Sequence, residues 1–113
     1  MKPPTVYIIQ DMGNKDFGPA LLFGQPEVLL SSDLPVYGDT SPVLERLAQK
    51  LAQFDPQFDS VLATGDPVAI GAVFALLARA GHPWVTVLKW NRQTRTYTLL
   101  RLTFPPRKRA DTK

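Results

Sequence analysis

The sequence predicts an α/β fold: a small mixed sheet of about five strands in the order β-β-α-β-α-β-β, with two helices and a C-terminal hairpin. Three observations carry this. Two apolar runs, residues 60–64 and 84–90, flank a segment of helical character, and a crossover of that length joins parallel neighbours. A capping residue followed by proline occurs twice, at Ser41-Pro42 and Asp66-Pro67, which is a favourable helix start. A segment of strand character, residues 95–104, follows the polar turn Asn91-Arg92-Gln93-Thr94, so it folds back as an antiparallel hairpin.

The elements follow in order. Thr5-Val6-Tyr7-Ile8-Ile9-Gln10 is β-branched and aromatic, and turn formers bound it on both sides, so it is a strand. Residues 11–26 are rich in glycine and proline, with one helical turn expected at Ala20-Leu21-Leu22-Phe23, closed by Gly24. A second strand is expected at Glu27-Val28-Leu29-Leu30-Ser31. Ser41 is the expected cap of the first helix, with Glu45 placed in its first turn to suit the dipole. Leu44, Leu47, Leu51 and Phe54 recur at three- and four-residue spacing and form its apolar stripe. That helix should end near Asp55-Pro56. Residues 60–64 read as a buried central strand. The second helix follows to Ala80, with Gly81 as a left-handed C-terminal cap. The hairpin register stays open, because a slip of one residue moves Trp90 to the other face.

Residues 1–104 are expected to form one domain and residues 105–113 a basic, disordered tail. The chain has no cysteine and one histidine, His82, which excludes a disulfide framework, a thiolate zinc site and a multi-histidine metal site within one chain. His82 reads as a turn residue near a helix C-terminus. No apolar run approaches the roughly 20 residues that cross a bilayer, and the first residues lack the apolar stretch of a signal peptide. The expectation is a cytoplasmic protein with no membrane partner.

Charge is unevenly placed. From Arg79 onward there are nine basic residues and one acidic, for +8, whereas the first 78 residues carry −5. Such a field steers polyanions to the C-terminal part. It would equally draw two copies together head to tail, or serve only solubility.

Two constellations carry chemistry. In the hairpin, Lys89, Trp90, Arg92, Arg95, Tyr97 and Arg101 interleave rings with cations, the pattern that binds single-stranded nucleic acid by stacking inside a positive groove. Arg107, Lys108 and Arg109 would add phosphate contacts. The structural alternative is that Trp90 and Tyr97 pair across the strands and the arginines protect the edge. The second constellation is Asp11, Thr64, Gly65 and Asp66, at the carboxyl edge of the sheet if the first strand runs parallel to residues 60–64. Ligands bind at that edge in open α/β sheets, and a carboxylate pair, with Asp16 and Asp39 nearby, would hold Mg²⁺ or do acid/base work. Against it, Asp66 repels an anion and Pro67 removes an amide donor, so a helix cap and a turn explain these residues as well.

From Val68 to Ala78 the chain is apolar or glycine throughout. A helix apolar all round is normally buried all round, and a domain of this size has difficulty enclosing one. The expectation is a homo-oligomer joined through this helix.

Thr64-Gly65-Asp66-Pro67-Val68-Ala69-Ile70-Gly71, followed by Leu88-Lys89-Trp90-Asn91-Arg92-Gln93 and Tyr97, resembles a family of small uncharacterised proteins encoded by tailed bacteriophages. The opening Val6-Tyr7-Ile8-Ile9-Gln10-Asp11 and the Pro19-Ala20 to Phe23-Gly24 stretch are similar to it too, so the resemblance spans residues 6–104. Where that family more often has aspartate, this chain has Asn91, which argues against an acidic catalytic group there. The resemblance implies a small phage protein acting in the host cytoplasm. The function expected is an accessory binding protein that engages nucleic acid, or a nucleic-acid-handling host protein, through the basic and aromatic hairpin. No cofactor is implied, and the balance is against an enzyme. The alternatives are a nucleotide-binding or Mg²⁺-dependent enzyme at the strand edge, and a phage structural or assembly component.

Overall fold

Strand β1 (Thr5–Gln10) is apolar on both faces because it lies inside the sheet. The computed structural model describes residues 3–13, 17–32 and 38–106. It contains β1, a 3-10 helix (Gly18–Phe23), β2 (Gln25–Leu30), α1 (Ser41–Lys50), β3 (Ser60–Leu62), α2 (Pro67–Arg79), β4 (Trp84–Asn91) and β5 (Thr96–Thr103). The five strands form one mixed sheet in the order β2-β1-β3-β4-β5. β1 pairs parallel with β2 and β3, β3 parallel with β4, and β4 antiparallel with β5. The expected α/β class, the crossover from β3 to β4 and the C-terminal hairpin are all present. Asp16 and the tail at 107–113, with Arg107, Lys108 and Arg109, lie outside the described residues. No helix among the described residues is long and apolar enough to cross a membrane.

The period of two along the strands sorts the core into two layers. Tyr7, Ile9, Val61 and Val85 meet Leu47, Leu51 and Phe54 of the α1 region and Ala69, Val73 and Leu77 of α2. Val6, Ile8, Leu62, Leu88 and Tyr97 face the other way and meet Ala20, Phe17 and Phe23 of the 3-10 segment. Two full helices therefore cover one face, and a single short helix covers part of the other. Each fully buried aliphatic side chain contributes about 1.5–3 kcal/mol, so the helical face holds most of the stability.

Helix ends differ in instructive ways from the expectation. α1 starts one residue early: Thr40 occupies the cap position and makes no side-chain cap bond. Asp39 does that work instead, its Oδ1 accepting the Ser41 amide at 3.0 Å. An ionised carboxylate is a stronger acceptor than the hydroxyl expected at Ser41. Glu45 consequently falls beyond the first turn, which holds no acidic residue. α1 ends at Lys50 and tightens into a 3-10 turn (Leu51–Gln53) before Phe54. At α2 the expectation holds, with Asp66 Oδ1 accepting the Val68 amide at 2.8 Å. Its C-terminus is closed by amides of Gly81 and His82 donating to Ala78 and Leu77, with Gly81 at φ +94°, a Schellman arrangement. The His82 ring packs edge-on against Phe54, with centroids 5.3 Å apart.

One chain covers much of α2. Ala69, Val73 and Leu77 are buried, and Ile70, Ala72, Phe74 and Leu76 pack partly against the core. The outward strip is Val68, Gly71, Ala75 and Ala78, which is apolar but, apart from Val68, presents little side chain. The larger exposed apolar groups stand elsewhere: Leu99, Leu100 and Leu102 on β5, and Leu21 and Leu22 on the 3-10 helix.

The two sheet edges are treated differently. β2 begins Gln25-Pro26-Glu27, and proline at an edge removes a donor from the exposed comb. Lys50 Nζ donates to the Val28 carbonyl at 3.2 Å and lies 3.7 Å from Glu27. β5 carries no proline within the strand.

One buried acid, unremarked in the sequence, ties the core together. Asp59 is 1% exposed. Its Oδ1 accepts the Thr5 amide at 3.0 Å and its Oδ2 the Asp55 amide at 2.8 Å. It thereby fixes the start of β1 beside the start of β3.

Candidate functional site

Among open sheets of strand order 2-1-3-4-5, the ligand crevice lies between the carboxyl ends of β1 and β3. Here that crevice is filled by a side chain. Gln10, at the end of β1, accepts the Asp66 amide on Oε1 at 2.9 Å and donates from Nε2 to the Ser31 carbonyl at 3.0 Å. Gly65 makes room for it. Its φ is +114°, and a Cβ there would sit 2.4 Å from Gln10 Cβ.

The strand-edge residues then have structural duties. Asp66 caps α2. Asp11 Oδ1 accepts the Gly13 amide at 2.8 Å, an Asx turn. The Thr64 carbonyl accepts the Gln10 amide at 3.1 Å and extends the pairing beyond β3. With Asp66 on its own helix terminus and Pro67 lacking an amide, the start of α2 keeps few donors for an anion.

A cavity opens one strand further along, between the carboxyl ends of β3 and β4. It measures about 570 Å³, and Pro19, Leu62, Thr64, Leu88, Trp90 and Tyr97 are among its walls, with Lys89 also in the lining. This volume falls within the range of small-molecule sites, about 300–1,000 Å³. Thr64 from the strand-edge set and Lys89, Trp90 and Tyr97 from the hairpin set thus meet in one place. Asp11, Gly65 and Asp66 do not line it.

The hairpin geometry follows from its turn. Asn91 Oδ1 accepts the amides of Gln93 and Thr94 at 2.9 and 3.3 Å, and its carbonyl accepts the Arg95 amide at 2.8 Å. Arg95 takes a left-handed φ of 55°. Asn91 is therefore a turn former, a task that an aspartate oxygen would perform as well. The turn sets the register Trp90↔Tyr97 and Lys89↔Thr98. Trp90 and Tyr97 then share the face of the short 3-10 helix, with ring centroids 5.0 Å apart in an edge contact.

The two rings have different exposure. Trp90 is 42% exposed, whereas Tyr97 is 9% exposed and belongs to the second core layer. Tyr97 shapes the cavity and supports the indole instead of presenting its own face. Lys89, Arg92 and Arg95 are exposed and make no ion pair among the described residues. Arg101 stands apart. Paired with Thr86 in the register, it is about 13 Å along the strand from Tyr97, at ~3.3 Å per residue. Its guanidinium lies over the Trp84 ring, 4.5 Å from the centroid, and the Trp84 Nε1 donates to the Pro56 carbonyl at 3.1 Å.

The cavity is the feature that sequence reading missed. Its walls come from four separated segments, and only the alternation of Leu62, Thr64, Leu88 and Trp90 onto the thinly covered face signals it.

No curated protein and no solved structure matches the chain. A family model does, over residues 4–104, from just before β1 to just after β5, and by that match the chain belongs to the Phage Pam3 gp32-like protein family.

Proposed function

We propose that this phage-family protein is an accessory binding protein that engages single-stranded nucleic acid through the β4–β5 hairpin. The observation that carries the reading is the half-open Trp90 ring, 42% exposed, in a hairpin whose Lys89, Arg92 and Arg95 are exposed and have no carboxylate paired to them among the described residues. An exposed indole offers a stacking surface to any base, worth about 1–3 kcal/mol per base. Cations free of internal partners release counterions from phosphates when they bind, so the contact weakens with salt. The +8 balance of the chain from Arg79 onward supplies the long-range attraction.

Fluorescence anisotropy with short single-stranded DNA and RNA at low salt tests this directly. Binding should fall as salt rises, with a slope of about 0.7 per phosphate contacted, or about 2 for three cations. Trp90→Ala should lower affinity at every salt concentration, and Arg92→Gln with Arg95→Gln should flatten the slope. Absence of binding to either nucleic acid at low salt refutes the reading.

A further inference from the structure

Resting on that reading, we infer that the cavity beside Trp90 receives one nucleobase turned out of the strand, with Thr64 meeting the edge of the base.

The cavity's chemistry selects this class of ligand. Leu62, Leu88, Trp90 and Tyr97 are hydrophobic or aromatic walls, suited to the faces of a flat ring and poorly suited to a sugar or a phosphate. Thr64 adds a polar side chain to these walls. Thr64 is 7% exposed, and by alternation with Leu62 its side chain falls on the cavity face of the sheet. Its hydroxyl makes no hydrogen bond with any described residue. Among the described residues the buried side-chain polar atom that lacks a partner is Ser60 Oγ and not the Thr64 hydroxyl, so the Thr64 hydroxyl is left open to what enters the cavity. It both donates and accepts, so it can meet the edge of any of the bases. Lys89 contributes to the lining between Leu88 and Trp90, but by alternation its side chain falls on the other face of β4, with Val85 and Val87. Tyr97 holds the indole by edge contact at 5.0 Å, so the stacking wall is already oriented before a ligand arrives.

A base in this site comes either from a strand or from a free nucleotide, and the two are separable. A labelled eight-nucleotide single-stranded DNA is compared with the same oligonucleotide carrying one abasic position, with a fully abasic one, and with thymidine monophosphate followed by quenching of tryptophan fluorescence. The native protein should bind the base-bearing strand about tenfold or more tighter than the fully abasic backbone. Thr64→Val, which keeps the shape and removes the hydroxyl, should weaken the base-bearing strand severalfold and leave the abasic backbone unchanged. Quenching by the mononucleotide identifies a free nucleotide as a further occupant and supports the inference. The abasic comparison needs no protein variant, so it decides the matter even if Thr64→Val folds poorly. Equal binding of base-bearing and abasic strands, with no quenching by the mononucleotide, overturns the cavity assignment while leaving surface binding intact. Failure of every oligonucleotide to bind, with no response to the mononucleotide, removes the reading on which the inference stands.

Discussion

Replacing Gly65 by alanine should cost the fold about 3 kcal/mol, and the reasons can be separated. At φ +114° the backbone is in a region that L side chains rarely adopt, which costs about 1–3 kcal/mol. The new Cβ would lie 2.4 Å from Gln10 Cβ and 2.8 Å from its Oε1. Because the nearest atom is a Cβ, which moves only with its backbone, the end of β1 must shift away, carrying with it the Gln10 side chain. It then loses its bonds to the Asp66 amide and the Ser31 carbonyl, each worth about 0.5–1.5 kcal/mol. Taking the lower half of these ranges gives ~3 kcal/mol, or a fall in melting temperature of about 12 °C at roughly 4 °C per kcal/mol for a chain of this size. Urea denaturation with a shared slope is the assay. Gln10→Ala alone should cost about 1–3 kcal/mol through the same two bonds. With both changes present those bonds are lost only once, and the clash with the glutamine oxygen is gone. The double variant should therefore be at least ~1 kcal/mol more stable than the sum of the singles predicts. A loss below ~0.5 kcal/mol for Gly65→Ala, or strict additivity with Gln10→Ala, would show that this glycine does not exist to admit the glutamine.

Other outcomes follow from the same geometry. Asp59→Ala leaves the amides of Thr5 and Asp55 without their carboxylate acceptor, and should destabilise by about 2–6 kcal/mol in chemical denaturation, with Asp59→Asn milder because it retains one acceptor oxygen. Asp66→Ala removes the α2 cap and should cost ~1 kcal/mol. It should leave oligonucleotide affinity unchanged, since Asp66 does not line the cavity; a large loss of affinity would restore a role for the strand edge. Hydrogen bonds from the Ser41 amide, and then from its hydroxyl, hold the Asp39 carboxyl below the ordinary aspartate value. The bonding at the start of α1 is thus complete above that ordinary value and is lost as pH falls through the lowered one. The Ser41 amide resonance should titrate with that depressed midpoint, and Asp39→Asn should abolish the titration.

Sequence alone was enough for the elements and their class, because local periodicity and capping are short-range properties. Asp66-Pro67 marks the start of α2, Gly81 its end, and the spacing of Leu47, Leu51 and Phe54 its neighbour's buried face. It also singled out Thr64, Lys89, Trp90 and Tyr97, which the structure brings into the lining of one cavity. Their exposure was not visible. Trp90 and Tyr97 look equivalent along the chain, and only the 3-10 helix packed on that face buries one of them and leaves the other open. Nor could the sequence show that Gln10, 56 residues from Asp66, closes the expected crevice. It held no sign that Thr64 would meet Lys89 and Trp90 across two parallel strands. Pairings between distant segments depend on strand order and register, which hydrogen bonding across the whole sheet decides.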